Sequence, residues 1–158
     1  MIPSEYASQL APYMVKAPTD VAGAADALGL KVFALELPKG ISGILKHDRS
    51  YGTPSEYVIF VDSKEPAVRQ RFTAAHEIGH FLLHRDSIYG KIEDNYLLRA
   101  HGMSNRQELE ANEFAADLLM PWELINQAMD SGITTVDDLA SHFKVSRLAM
   151  GIRLGLPT

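Results

Sequence analysis

Residues 76–80 read His-Glu-Ile-Gly-His, and no other segment constrains the fold of this chain as tightly. On an α-helix His76 and His80 leave the same face about one turn apart. Two neutral imidazoles so placed can bind one Zn²⁺, while Glu77, one step round the helix, reaches a water on the metal. Zinc lowers the pKa of such a water towards ~7, and a carboxylate beside it takes the proton during attack on a carbonyl. The pentapeptide therefore predicts metal-assisted peptide hydrolysis with Glu77 as general base. Its surroundings predict the helix. Residues 69–84 contain no Pro and place Phe72, Ala75, Ile78, Gly79, Leu82 and Leu83 at helical spacing. Gly79 costs roughly 1 kcal/mol of helix propensity, which suits a point where another element approaches the backbone.

A catalytic zinc needs a third protein ligand and an open position. His84 continues the i, i+4 series but lies another ~6 Å along the axis, too far to share a metal held by His76 and His80. It reads as a histidine at the helix end, near the C-terminal dipole. Asp86 stands where a metzincin-type motif would place its ligand, but that motif needs Gly at position 83, and Leu83 is there. The better candidates lie on a second helical stretch, 105–120. Ser104 and Gln107 form a capping-box pair at its start, and Pro121 ends it. One stripe carries Glu108, Ala111, Asn112, Ala115 and Leu119, a carboxylate followed by small residues that permit close helix approach. Glu108 is the leading third ligand and Glu110 the alternative. Asn112 can hold a ligand imidazole by its other nitrogen. Glu110 and Glu113 otherwise read as solvated charges.

RFTAAHEIGHFLLH, followed by ELEANEFAADLLMP, resembles the ImmA/IrrE family of bacterial zinc metallopeptidases. The family's signature is R-F-T-x-A-H-E-x-G-H-x-x-x-H and then E-x-E/Q-A-N-x-F-A-A-x-L-L-M-P. The resemblance covers residues 20–122, and more loosely the rest to the C-terminus. It implies a gluzincin-like site, with His76, His80 and Glu108 as zinc ligands and Glu77 as general base. It also implies a cytoplasmic endopeptidase that cuts a regulatory protein, a helix-turn-helix transcriptional repressor.

With 158 residues, 46% of them hydrophobic, the chain suits one domain with a sizeable core, residues 1–158. Within it, 1–130 is the minimal zincin core and 131–158 a helical tail. Cysteine is absent, so His and Glu must supply any metal ligands. The N-terminal twenty residues carry a single Lys and no long apolar run, unlike a signal peptide. No stretch approaches a membrane span, and a cytoplasmic protein is expected. The net charge of −5 argues against a broad nucleic-acid-binding surface.

The expected fold class is α+β, with a small antiparallel sheet packed on the H-E-x-x-H helix and the second ligand helix. A short helix over 4–15 and a second over 21–30 come first, the second capped by Thr19 or Asp20 and closed by Gly29. Strands follow at 31–37, 40–47 and 56–62, with Pro38-Lys39-Gly40 as the first turn. One edge strand is a candidate to pair with an extended substrate backbone. The loop 85–103 carries Tyr89, Tyr96, Arg99 and His101, which read either as oxyanion donors or as surface packing. Arg71 reads either as a structural partner or as a substrate contact.

Residues 136–154 have the spacing of a helix-turn-helix unit, with Lys144, Arg147 and Arg153 on its second helix. Asp137 and Asp138 offset that charge, so a capping tail that receives a protein partner is favoured over DNA binding. Two functions of different class compete. One is a zinc endopeptidase; the other is a non-catalytic regulatory protein with structural zinc and a tail that contacts DNA or a partner. Glu77 favours the enzyme, because closed structural coordination has no use for a general base.

Overall fold

The computed structural model describes residues 1–89 and 104–157. Among these are seven α-helices and a three-stranded sheet, an α+β arrangement. Helix α1 (Ser4–Leu10) and a 3₁₀ turn lead into α2 (Val21–Ala27). The Asp20 carboxylate accepts the Gly23 N–H at 2.9 Å and caps α2, while Gly29 closes it at φ +83°. Thr19 has a different task. Its buried hydroxyl donates to the Leu118 carbonyl at 2.8 Å and ties this corner to a residue 99 positions along the chain.

Strands β1 (Lys31–Leu35), β2 (Gly43–His47) and β3 (Tyr57–Asp62) lie in the order β1-β3-β2. β2 pairs antiparallel with β3, but β1 pairs parallel, with Lys31 opposite Val58. The sheet is therefore mixed, and the antiparallel sheet expected from the sequence is corrected. Burial supplies the reason. All six residues of β3 are buried, with Tyr57, Ile59 and Val61 in the main core and Val58 and Phe60 in a second cluster with Leu37 and Ile44. A strand apolar on both faces needs a neighbour on each edge and takes the middle. The Pro38–Gly40 turn forms, with the Ile41 N–H on the Pro38 carbonyl, yet it sends the chain across β3 instead of folding β2 onto β1.

Helix α3 (Ala67–Tyr89) is the centre of the molecule, touching α2, β2, β3 and the next helix, α4 (Asn105–Leu119). Residues 73–81 are all buried, so this stretch is covered on every face. Gly79 makes that possible. A Cβ there would stand 3.1 Å from Phe114 Cδ1 and 3.2 Å from Ala111 Cα, so α4 rests directly on its backbone. The capping box that starts α4 is present: Ser104 Oγ accepts from the Gln107 N–H, and Gln107 Oε1 accepts from the Ser104 N–H, both at 3.1 Å.

Pro121 ends α4 and also stands at the N-cap of α5 (Trp122–Asp130), a helix the sequence reading lacked. Helices α6 (Val136–Phe143) and α7 (Arg147–Arg153) complete the chain, with Lys144 left-handed between them. Leu139, Phe143, Val145 and Met150 join the same core as Ile78 and Phe114.

Candidate metal centre

Helix α3 holds His76 and His80 one turn apart, 4% and 1% exposed, with their rings 4.6 Å apart and edge-on. Their Nε2 atoms point at each other across 3.0 Å. From α4 the Glu108 carboxylate meets both, with Oε1 at 3.0 Å from His80 Nε2 and Oε2 at 3.1 Å from His76 Nε2. Ala111 and Ala115, both fully buried, are the small residues that let α4 come this close. The donor set suits a divalent metal. Tetrahedral bonds of 2.0–2.1 Å put donors about 3.3 Å apart, within a few tenths of an ångström of what is seen.

The opposite side of His76 fits as well. The Asn112 amide oxygen accepts from its Nδ1–H at 2.8 Å, leaving the Nε2 lone pair facing the cluster. The sequence offers Asn112 as a partner for one of the two imidazoles, and the structure pairs it with His76. Glu110 does not join the cluster; its Oε1 lies 3.0 Å from His84 Nε2. Asp86 stands apart too, almost fully exposed beside Arg85. His84 needs a correction. Helix α3 runs on to Tyr89, so His84 is not at a helix end, and at 5% exposure it is buried with its Nδ1 2.9 Å from His80 Nδ1.

Glu77 is fully buried, and its carboxylate lies against the start of β2. A Cβ on Gly43 would press on Thr73 Cγ2 and come within 2.9 Å of Glu77 Oε2. Sequence reading passed over Gly43, because nothing local says which carboxylate a strand glycine will face. Gly43→Ala is expected to cost about 1–3 kcal/mol through overpacking. Thermal unfolding should show the midpoint lowered by several degrees.

A groove of ≈ 880 Å³ opens beside His76, Glu108 and Asn112 and reaches Leu148 and Ile152 of α7. Leu109, Leu148 and Ile152 expose more than half of their surface. Arg71, on the same helix, donates from Nη1 to the Thr19 carbonyl at 3.0 Å and from Nε to the Lys144 carbonyl at 3.2 Å. Burial pushes its guanidinium below the ordinary range, with Asp20 opposing. Of the two readings of Arg71, these bonds match the structural one: it links α3 to the chain before α2 and to the turn before α7. Tyr96, Arg99, His101 and the side chain of Tyr89 lie outside the described residues.

The family model described as Peptidase_M78, IrrE N-terminal-like domain, matches residues 25–155. Radiation response metalloprotease IrrE of Deinococcus deserti is 40% identical over 79 residues, 48% of this chain and 27% of that protein. Metallopeptidase ImmA of Bacillus subtilis is 26% identical over 128 residues, covering 78% of this chain and 69% of the relative. The match thus spans about a quarter of the Deinococcus protein and about two thirds of the Bacillus one. A solved Mycobacterium tuberculosis transcriptional regulator shares the fold at a TM-score of 0.57 and 19% identity, over 86% of this chain and 40% of its own.

Proposed function

Because the chain belongs to the Peptidase_M78 family, with its IrrE N-terminal-like domain, we propose that it is a zinc-dependent endopeptidase of the gluzincin type. Its substrate is a regulatory protein, a helix-turn-helix transcriptional repressor, and it works in the cytoplasm. One observation carries the reading. His76 Nε2, His80 Nε2 and the Glu108 carboxylate converge within 4.8 Å, and a buried carboxylate, Glu77, follows His76 directly. No described helix is long and apolar enough to cross a membrane.

His76, His80 and Glu108 would hold the zinc. When bound, zinc supplies Lewis acidity, bringing water near neutral pKa and polarising the scissile carbonyl. The protein does the rest. Glu77 takes a proton from the attacking water on its carboxylate and returns it to the leaving amine. Asn112 keeps the His76 ring in the tautomer that presents Nε2. Gly43 leaves room for the Glu77 carboxylate. Among the described residues β2 pairs with β3 alone, and its other edge is where an extended substrate backbone pairs. The groove toward α7 takes apolar substrate side chains on Leu109, Leu148 and Ile152.

The whole chain acts as one metallopeptidase domain, with 1–130 as its core and 131–158 as a helix-turn-helix-like cap. The charges of the tail favour a cap over a DNA reader. Arg153 is spent on Asp117 at 2.9 Å and on the Met120 carbonyl at 3.0 Å, and it lies over the Trp122 ring. Arg147 pairs with Asp137 at 2.9 Å. Mixing the protein with random duplex DNA at physiological salt should give no complex tighter than ordinary non-specific affinity, ~10⁻⁴–10⁻⁶ M. A salt-sensitive, sequence-specific gel shift would overturn the cap.

The function itself is tested on a purified helix-turn-helix repressor, the first choice being one whose reading frame adjoins that of this chain. Purified chain should cut it at a defined bond in the presence of zinc, and a chelator should stop the reaction. An intact repressor after prolonged incubation with zinc-loaded protein would remove that repressor as the substrate.

A further inference from the structure

A metal-binding imidazole is only as good as the partner on its second nitrogen, and His80 has an unusual one. Its Nδ1 lies 2.9 Å from Nδ1 of His84, and Nε2 of His84 lies 3.0 Å from Glu110 Oε1. The rings are 5.1 Å apart and tilted. Each neutral imidazole carries one hydrogen and one lone pair, so the run admits few arrangements. To ligate through Nε2, His80 must carry its hydrogen on Nδ1 and donate it to His84. His84 must then accept at Nδ1 and carry its own hydrogen on Nε2. There the Glu110 carboxylate, which can only accept while ionised, takes it. The three partners are mutually consistent in one direction.

We propose that His84 and Glu110 form a positioning relay, Glu110···His84···His80, that locks His80 in the tautomer and ring orientation needed to bind the metal. His84 acts directly on the ligand; Glu110 acts through His84. The buried position of His84, 5% exposed on the long central helix, is what an orienting partner requires. Glu110 is 42% exposed, on the surface of α4, where it also faces Arg106 at 3.9 Å. The two metal-binding histidines are thus braced differently: His76 by a neutral amide from α4, His80 by an imidazole on its own helix backed by a carboxylate from α4.

The inference rests on the zinc site proposed above, and the experiment separates the two. Zinc affinity is measured by competition with a chromophoric chelator for wild type, His84→Leu, His84→Asn and Glu110→Ala, alongside the melting temperature of each zinc-free protein. Residues that brace a metal ligand typically contribute 10–100-fold in affinity. His84→Leu, which cannot accept a hydrogen bond, should lose roughly that much. His84→Asn puts an acceptor oxygen near the site of Nδ1 and should recover most of the affinity, even where its zinc-free melting temperature stays as low as that of His84→Leu. Glu110→Ala, at the surface, should fold as wild type and bind zinc several-fold more weakly. In the zinc-loaded wild type, long-range ¹H–¹⁵N spectra should show a protonated Nδ1 on His80 and a protonated Nε2 on His84. Equal losses in His84→Leu and His84→Asn would reduce His84 to packing and overturn the relay. So would wild-type affinity in both His84→Leu and Glu110→Ala, or the opposite pair of tautomers. Should His84→Leu fail to fold, Glu110→Ala and the spectra decide the matter. A wild-type chain that takes up no zinc would remove the metal site itself, and the relay with it.

Discussion

Glu77→Gln is expected to keep the zinc and the melting temperature of the parent while losing at least ~100-fold in cleavage rate, the usual contribution of a general base. Gln matches Glu in size and still accepts and donates hydrogen bonds, so the buried pocket beside Gly43 and Thr73 stays filled. What it cannot do is take a proton from water at neutral pH. Three measurements on one preparation check this: metal content, thermal unfolding, and turnover of the repressor. Undiminished proteolysis would sink the mechanism, whereas a fall in melting temperature matching the fall in rate would mark Glu77 as structural. The contrast with Gly43→Ala is informative. That substitution leaves the carboxylate in place chemically but presses on it, so stability and rate should fall together.

Removing any one of His76, His80 or Glu108 should empty the metal site. Their donor atoms stand 3.0–3.1 Å from one another, and no other described His, Asp or Glu side chain joins the cluster. Wild type should hold about one zinc per chain, because two histidines and one carboxylate make three ligands with an open fourth position. His76→Ala, His80→Ala and Glu108→Ala should each lose more affinity than the ~10–100-fold attached to residues that only brace a ligand. Zinc should raise the melting temperature of wild type by mass action, and that increment should vanish in all three variants. Full zinc retention by Glu108→Ala would move the third ligand elsewhere. Glu110, which faces His84 at 3.0 Å, is then the residue to replace next.

Much of the site was legible because its signals are periodic. A four-residue spacing on a helix decides which side chains share a face, so His76 and His80 could be paired from letters alone. The stripe Glu108, Ala111, Asn112, Ala115 named the face of α4 that meets α3, and the geometry places Glu108 and Asn112 on that meeting line. Gly79 was readable for the same reason, since its helix-propensity cost needs a compensating close approach, here by Phe114 and Ala111. Helix starts at Asp20 and Ser104 followed from side chains that can satisfy backbone N–H groups within three residues.

Other features were not written locally. Strand order is one. Each strand segment was recognisable, yet pairing is decided by competition among all edges for burial, and β3 won the centre because both of its faces are apolar. His84 was misread because the end of α3 was placed too early, which turned a buried partner of His80 into a terminal residue. Gly43 carries no local signal, and the letters around Arg71 leave its two readings open. One makes room for a carboxylate thirty-four residues away, and the other bonds backbone carbonyls of Thr19 and Lys144, each far along the chain.

The sequence by itself determined the chemistry available to this protein: His76, His80 and the Glu77 carboxylate between them on one helix, several carboxylates on another, and no thiol to compete. These follow from residue identity and helical period, which act over a few residues and need no tertiary context. Only the tertiary structure decided which carboxylate of α4 meets the histidines, what holds each imidazole from behind, and which strands take the edges of the sheet. Those are choices among contacts distant in sequence. They are made by packing around residues 73–81 of α3, which α4 and the sheet together help to bury.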